Sequence, residues 1–210
     1  MKTITKLIAC AAITLGSCAP KPAAIELFNG TDLTGWVGYL TADSLDTAKE
    51  FTVRDGVICL SGPMGYIRTE ATYTDYKLEV EWRWPGEPTN SGIFQRMQLP
   101  DQGLPQCFEC QLMSGSAGDL LGLAGARTAE IADRSGSVVV IPKISGSSEL
   151  PAGQWNRAEI VCLGGEITVT INDVLQNKAT GMSLPGGHIA LQSEGGPVEF
   201  RNVRLTPMAL

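Results

Sequence analysis

The sequence predicts an all-β domain, an antiparallel sandwich or barrel, on three observations. Its 24 Gly and 12 Pro are spread along the 210 residues, apolar residues alternate with polar ones over short runs, and few stretches repeat at the helical period. Gly and Pro interrupt long elements, while a period of two sends successive side chains to opposite faces of a strand.

In chain order, Asn29-Gly-Thr-Asp32 reads as a turn, because short polar side chains and Gly favour one. Trp36, Tyr39 and Tyr66 sit in loop-like sequence and are expected to pack, or to stack on a ligand ring. Residues 77–84 put Leu78, Val80, Trp82 and Trp84 on one side and Glu79, Glu81 and Arg83 on the other, so a half-buried strand is expected. A Pro- and Gly-rich turn follows at 85–92, then a returning strand at 93–98 and another at 107–113 with Phe108, Cys110 and Leu112 on one side.

Residues 114–148, rich in Gly, Ala and Ser, predict long loops around one or two strands, with 119–123 and 138–141 as the apolar runs. Residues 158–163 and 166–172 predict a hairpin over Gly164-Gly165. Residues 188–193 and 198–205 predict a last hairpin around Glu194-Gly-Gly-Pro197.

Ahead of this domain, Lys2 and Lys6 precede an apolar run at 7–15 that ends in Leu15-Gly16-Ser17-Cys18. That order predicts a bacterial lipoprotein signal peptide over 1–17 and a lipid on Cys18. The run is shorter than the roughly 20 residues a spanning helix needs. Pro20 and Pro22 disfavour helix, so 18–24 is expected to be an extended tether and 25–210 the folded domain. The expected location is the cell envelope, anchored in the outer membrane and facing the periplasm.

Loss of Lys2 and Lys6 takes the formal charge from −6 to −8, which argues against nucleic acid as a partner. Cys59, Cys107, Cys110 and Cys162 remain, and Cys107 and Cys110 would face opposite ways in one strand, so buried free thiols are expected. With His188 the only His and no second close Cys pair, a zinc site is not expected.

Chemistry is expected on one face of three strand candidates: Glu79, Glu81 and Arg83, then Phe94 and Arg96, then Glu109 and Gln111. Gln192, Glu199 and Arg201 could join them. Such a face is either the solvated side of a sheet or a carbohydrate site, since carboxylates, guanidiniums and amides all bond sugar hydroxyls.

Six segments in order then resemble the 3-keto-disaccharide hydrolase domain family. They are Leu27-Phe-Asn-Gly-Thr-Asp-Leu-Thr-Gly-Trp36, Phe51-Thr-Val-Arg-Asp-Gly-Val57, Asn90-Ser-Gly-Ile-Phe94, Phe108-Glu-Cys-Gln111, Gly153-Gln-Trp-Asn156 and Pro197-Val-Glu-Phe-Arg-Asn-Val203. The resemblance implies a concanavalin-like jelly roll of two curved antiparallel sheets with the sugar on the concave face. It maps family site positions onto Asn90, Ser91, Gly92, Arg96, Glu109, Gln111, Gln192, Glu199 and Arg201. Many relatives carry a His where this chain has Glu194.

The function this implies is cleavage of an oligosaccharide or glycoside already oxidised at C3. Glu109 is expected to remove the C2 proton, Arg96 and Arg83 to steady the oxygen charge, and Glu81, Gln111 and Gln192 to hold hydroxyls, with Asn90, Ser91, Glu194, Glu199 and Arg201 as further binding residues. No motif demands a cofactor, although a divalent cation on the carboxylates could polarise the ketone. The alternatives are a non-catalytic carbohydrate-binding lipoprotein and a conventional glycosidase using a carboxylate pair such as Glu79 with Glu81 or Glu81 with Glu109.

Overall fold

The computed structural model describes residues 22–210. The expected signal peptide, Cys18 and the first part of the tether lie outside the described residues. Among the described residues no helix is long and apolar enough to cross a membrane.

The first strands are β1 (Ile25–Glu26), β2 (Trp36–Leu40), β3 (Phe51–Arg54), β4 (Val57–Leu60) and β5 (Gly65–Thr69), with a short helix α1 (Thr47–Glu50) before β3. Then come β6 (Tyr76–Arg83), β7 (Gly92–Met97), β8 (Cys107–Gln111), β9 (Leu120–Leu123) and β10 (Val138–Ile141). The last are β11 (Asn156–Leu163), β12 (Glu166–Ile171), β13 (Val174–Ala179), β14 (His188–Ser193) and β15 (Val198–Pro207).

They form two antiparallel sheets. One has eight strands in the order β13-β12-β11-β6-β15-β4-β3, with β1 also on β15; the other has seven in the order β10-β9-β8-β7-β14-β5-β2. Alternation explains the layering. On β6 and β11 every second residue is buried, and Val80, Trp82, Ala158, Ile160 and Phe200 meet Ile93, Phe108, Ile189 and Leu191 in one core. Each Val, Ile, Leu or Phe side chain among them, taken out of water, contributes about 1.5–3 kcal/mol before the entropy of ordering the chain is set against it.

The expected strands at 77–84, 93–98 and 107–113 are present as β6, β7 and β8, and the hairpin over Gly164-Gly165 pairs Leu163 with Glu166. The 114–148 stretch holds two strands, β9 and β10, which pair with each other. Asn29 makes the expected turn, its side-chain oxygen accepting from the Thr31 and Asp32 amides. All four cysteines from Cys59 onward are free and buried, with Cys110 in the central core and Cys107 on the opposite face of β8.

Three expectations are corrected. The segments at 188–193 and 198–205 form no hairpin: β14 lies between β7 and β5, whereas β15 lies between β6 and β4. The residues between them carry the chain from one sheet to the other, with Gly195 at φ 84° and its amide bonded to the Gly62 carbonyl. Gly and Pro signal a reversal equally well for a hairpin and for a corner between sheets.

Trp36, Tyr39 and Tyr66 are in strands, not loops. The Trp36 indole donates to the Leu27 carbonyl at 2.7 Å inside the core, and Tyr39 stacks on Tyr66 at 5.1 Å. Finally, β6 does not pair with β7 or β8. The three strands expected to share one polar face are divided between the two sheets.

Candidate active site

That division splits the expected polar face in two. Glu79, Glu81 and Arg83 lie on the outer side of the eight-stranded sheet, where register places Arg201 opposite Glu81 and Glu199 opposite Arg83. Each carboxylate there already has a partner: Arg201 to Glu81, Arg83 to Glu199 and Arg157 to Glu79 all stand at 2.6 Å. The guanidiniums of Arg83 and Arg201 also lie over the Trp155 ring, at 4.6 and 4.1 Å. This is a sheet surface tiled by cross-strand pairs, with no carboxylate left free to act on a substrate.

The expected positions Glu81, Arg83, Glu199 and Arg201 therefore stand apart from Glu109, and the carboxylate pairing of Glu81 with Glu109 is not formed. Because half-exposed pairs contribute little, Glu81→Gln is expected to shift stability by less than about 1 kcal/mol. Its turnover should equal that of the unaltered protein. A drop of tenfold or more with the fold intact would return Glu81 to the site.

Arg96 is displaced for a different reason. Between β7 and β14 the register slips, with Met97 opposite His188 but Phe94 opposite Ala190, so Gln95 and Arg96 together face a single residue. Arg96 takes φ 51°, and the bulge turns its side chain off the Phe94 face. Its guanidinium, 1% exposed, donates to the carbonyls of Thr74 (2.7 Å), Gly164 (2.9 Å) and Leu184 (2.7 Å) and to Asp75 (3.3 Å). Alternation by two fails wherever a bulge inserts a residue, and no residue type in Gln95-Arg96 announces one. Ser91 is likewise structural: it is fully buried and its hydroxyl donates to the Gln192 carbonyl at 2.8 Å, tying β7 to β14.

What remains of the expected set comes together on the outer side of the seven-stranded sheet. Asn90, Glu109, Gln111, Gln192 and Glu194 line one cavity of about 230 Å³. Phe94 and Leu121 flank Glu109 on the neighbouring strands and form the floor with it. The loop after β7 makes one wall through Leu104 and Pro105. Asp101 pins that loop, since Arg68 donates to its two carboxylate oxygens at 2.8 and 2.9 Å and Tyr66 donates to it at 3.1 Å. The Arg68 guanidinium, through those bonds, also holds the Asp101 carboxyl below the usual carboxylate range.

The polar groups of this recess are oriented but incompletely bonded. The Gln192 amide donates to Glu194 at 2.9 Å, while its oxygen is buried with no protein partner, as is the side-chain oxygen of Asn90. The Gln111 oxygen accepts from the Leu112 and Met113 amides, both at 3.1 Å, which turns its NH2 group outward. Buried polar atoms without partners are costly, and ligand hydroxyls would satisfy them.

Glu109 is the most perturbed of these groups. It is 3% exposed, and burial, reinforced by the charge of Glu194, pushes its carboxyl up to about 8. No hydrogen bond to the protein offsets that burial. Gly92 makes room for it: a Cβ there would collide with the Glu109 carboxyl. Gly92→Ala is thus expected to lower turnover roughly a hundredfold by displacing the Glu109 side chain, whose Cγ, Cδ and one carboxyl oxygen would all have to shift. Turnover within twofold of the unaltered protein would show that the carboxyl's position does not matter.

A larger hollow of about 440 Å³ opens at the edge of the other sheet beside Lys49, Arg54, Cys59 and Glu199. Its carboxylates are engaged, Glu199 by Arg83 and Glu50 by the Ser61 hydroxyl, so size alone does not make it the site. Among the described residues no three His, Cys, Asp or Glu side chains are grouped to hold a metal ion. The recess itself offers two carboxylates, Glu109 and Glu194, and the side-chain amides of Asn90, Gln111 and Gln192.

Sequence reasoning reached the polar half of the recess but not its apolar half. Met64, Leu104, Leu121, Leu123 and Val138 come from a loop before β5, the loop after β7, and β9 and β10. Leu120-Leu-Gly-Leu123 is buried on both faces, so it shows no alternation that could have assigned a side.

The model of the 3-keto-alpha-glucoside-1,2-lyase-like domain matches residues 23–206. No curated protein matches the chain. Among solved structures, a candidate glycosyl hydrolase from Parabacteroides distasonis is similar at TM-score 0.65 and 21% identity, over 89% of this chain and 94% of that one. A Bacillus licheniformis beta-glucanase is similar at TM-score 0.61 and 15% identity, over 90% and 99% of the two chains. A carbohydrate binding module from Bacillus subtilis follows at 0.56 and 13%, over 81% and 94%. At these identities the likeness establishes the architecture, a concanavalin-like jelly roll.

Proposed function

We propose, on the premise that this chain belongs to the 3-keto-alpha-glucoside-1,2-lyase-like family, that it cleaves 3-keto-glycosides with Glu109 as general base. The observation that carries this reading is the Glu109 carboxyl, buried on the floor of the recess with its proton affinity pushed up to about 8. A ketone at C3 makes the C2 hydrogen acidic. A carboxylate raised well above its usual range is a stronger base toward that carbon acid than an ordinary surface carboxylate.

The steps balance as follows. Glu109 takes the C2 proton, and the C2–H electron pair forms the enolate of the C3 ketone. That pair then makes the C1–C2 double bond as the C1–O bond breaks, and the leaving oxygen departs as an alcohol after taking a proton. Water adds its oxygen to C1 and a proton returns to C2, so the net reaction consumes one water and releases a 3-keto sugar and the alcohol. Asn90, Gln111 and Gln192 would hold hydroxyls and the ketone oxygen, and Glu194 would keep Gln192 turned toward them. Arg96 has no part in this.

The test is to incubate the protein with 3-keto-glucosides and with the same glucosides unoxidised, following alcohol release and, in heavy water, exchange at C2. Release from the oxidised set with C2 exchange is expected. Binding without turnover of any oxidised substrate would reduce the protein to a carbohydrate-binding module, and release from unoxidised glucosides would favour ordinary glycosidase chemistry.

We also propose that Cys18 carries the lipid that holds this domain at the envelope, on the strength of the residues around it. Fatty-acid labelling that persists in Cys18→Ala would overturn this.

A further inference from the structure

We infer that the preferred leaving group is a hydrophobic alcohol or phenol rather than a second sugar. This rests on the cleavage reading above. The two sides of Glu109 share an apolar floor, Phe94 on one side and Leu121 on the other, but only one of them carries polar groups. Toward Asn90, Gln111, Gln192 and Glu194 the recess is built of amides and a carboxylate, with two buried acceptor oxygens lacking protein partners. In the other direction, strand register places Leu121 beside Glu109 and Val140 beside Leu121, with Leu123 and Val138 forming the parallel row.

This second side is an aliphatic track running from the reacting centre to the edge of the sheet. Its outer residues are unusually open for their type: Val138 is 49% exposed and Val140 38%, while across the cavity Met64 is 39% and Leu104 36% exposed. Aliphatic side chains standing in water on both sides of a recess mark a binding surface for something apolar. The sugar ring being attacked needs the amide side for its hydroxyls, so C1 and its substituent point along the track. A second sugar placed there would have hydroxyls desolvated against Leu and Val with nothing to bond, which disfavours it. An alkyl or aryl group would bury carbon against carbon.

The experiment uses 3-keto-glucosides of methanol, butanol and hexanol. Their leaving alcohols are of nearly equal acidity, so differences in rate report contact with the track and not the chemistry of departure. Expected is a rise in kcat/KM of about two- to fourfold per added methylene from methyl to butyl, carried mainly by KM. Val138→Asp, on an exposed position of an edge strand, should collapse the hexyl-to-methyl ratio, and Leu104→Asp on the facing wall should do the same.

Turnover that does not change with chain length would overturn this inference while leaving the cleavage reading intact. If no 3-keto substrate turns over, calorimetric affinities for the same series decide. Affinity that climbs with chain length and flattens in Val138→Asp upholds the track while cleavage falls; flat affinity overturns both.

Discussion

Glu109→Gln is expected to lower turnover of a 3-keto-glucoside by at least about a hundredfold and, at the same time, to stabilise the fold at alkaline pH. The two effects share one cause. In the folded protein the Glu109 carboxyl is raised from 4.5 to about 8 by burial and by Glu194. The folded state thus holds a proton that the unfolded chain releases above about 4.5. Stability contributed by this group is fully present below that value, falls as pH rises, and is gone once pH passes about 8. A neutral amide of the same shape has no proton to lose, so the Gln variant should gain on the order of 3–5 kcal/mol relative to the unaltered protein at pH 9 and nothing from this source at pH 4.

Turnover should follow the opposite course. At pH 7 the Glu109 carboxyl is mostly protonated, and kcat/KM should rise through about pH 8 toward a plateau at higher pH. Denaturation midpoints and pH–rate profiles of both proteins check this. If the Gln variant were less stable at pH 9, Glu109 would not be the destabilised group argued here. If it kept full turnover, the base would lie elsewhere.

Arg96→Met is expected to cost about 3–5 kcal/mol, a large part of what a domain of this size has. The arginine is almost fully buried and its donors serve three carbonyls and Asp75 from separate segments: the approach to β6, the β11–β12 turn and the approach to β14. Methionine fills similar space but takes these donors from the three carbonyls and leaves Asp75 with the Gly164 amide, at 2.6 Å. An unfolding free energy from urea titration within about 1 kcal/mol of the unaltered protein, together with lost turnover, would instead mark Arg96 as a residue that touches substrate. Arg96→Lys keeps the charge and loses the fork, so an intermediate loss is expected.

Most of the strands were legible because local chemistry decides them. Residues 77–84 alternate since one side of β6 faces the core, and Gly164-Gly165 reverses the chain whatever surrounds it. Strands β1, β2, β3, β4, β5 and β13 escape the pattern where alternation is short or burial is two-sided, as in the buried run of Ile58, Cys59 and Leu60. The ordered motifs also suffice for the family, and the resemblance reaches Asn90, Glu109, Gln111 and Gln192.

What the sequence by itself determined is the class of fold and the family, since each follows from period, turn chemistry or motif order along the chain; of the polar set it offered, Asn90, Gln111, Gln192 and Glu194 stand with Glu109. Only the tertiary structure decided which sheet each strand joins. That choice separates Glu81, Arg83, Glu199 and Arg201 from Glu109 and sets the open aliphatic track beside it. Alternation assigns a side chain to one of two faces of its own strand, but the energy that sorts strands into two sheets comes from non-local burial, which a local pattern cannot encode. The bulge at Arg96 has the same origin, because a one-residue slip between β7 and β14 is fixed by what their neighbours bury.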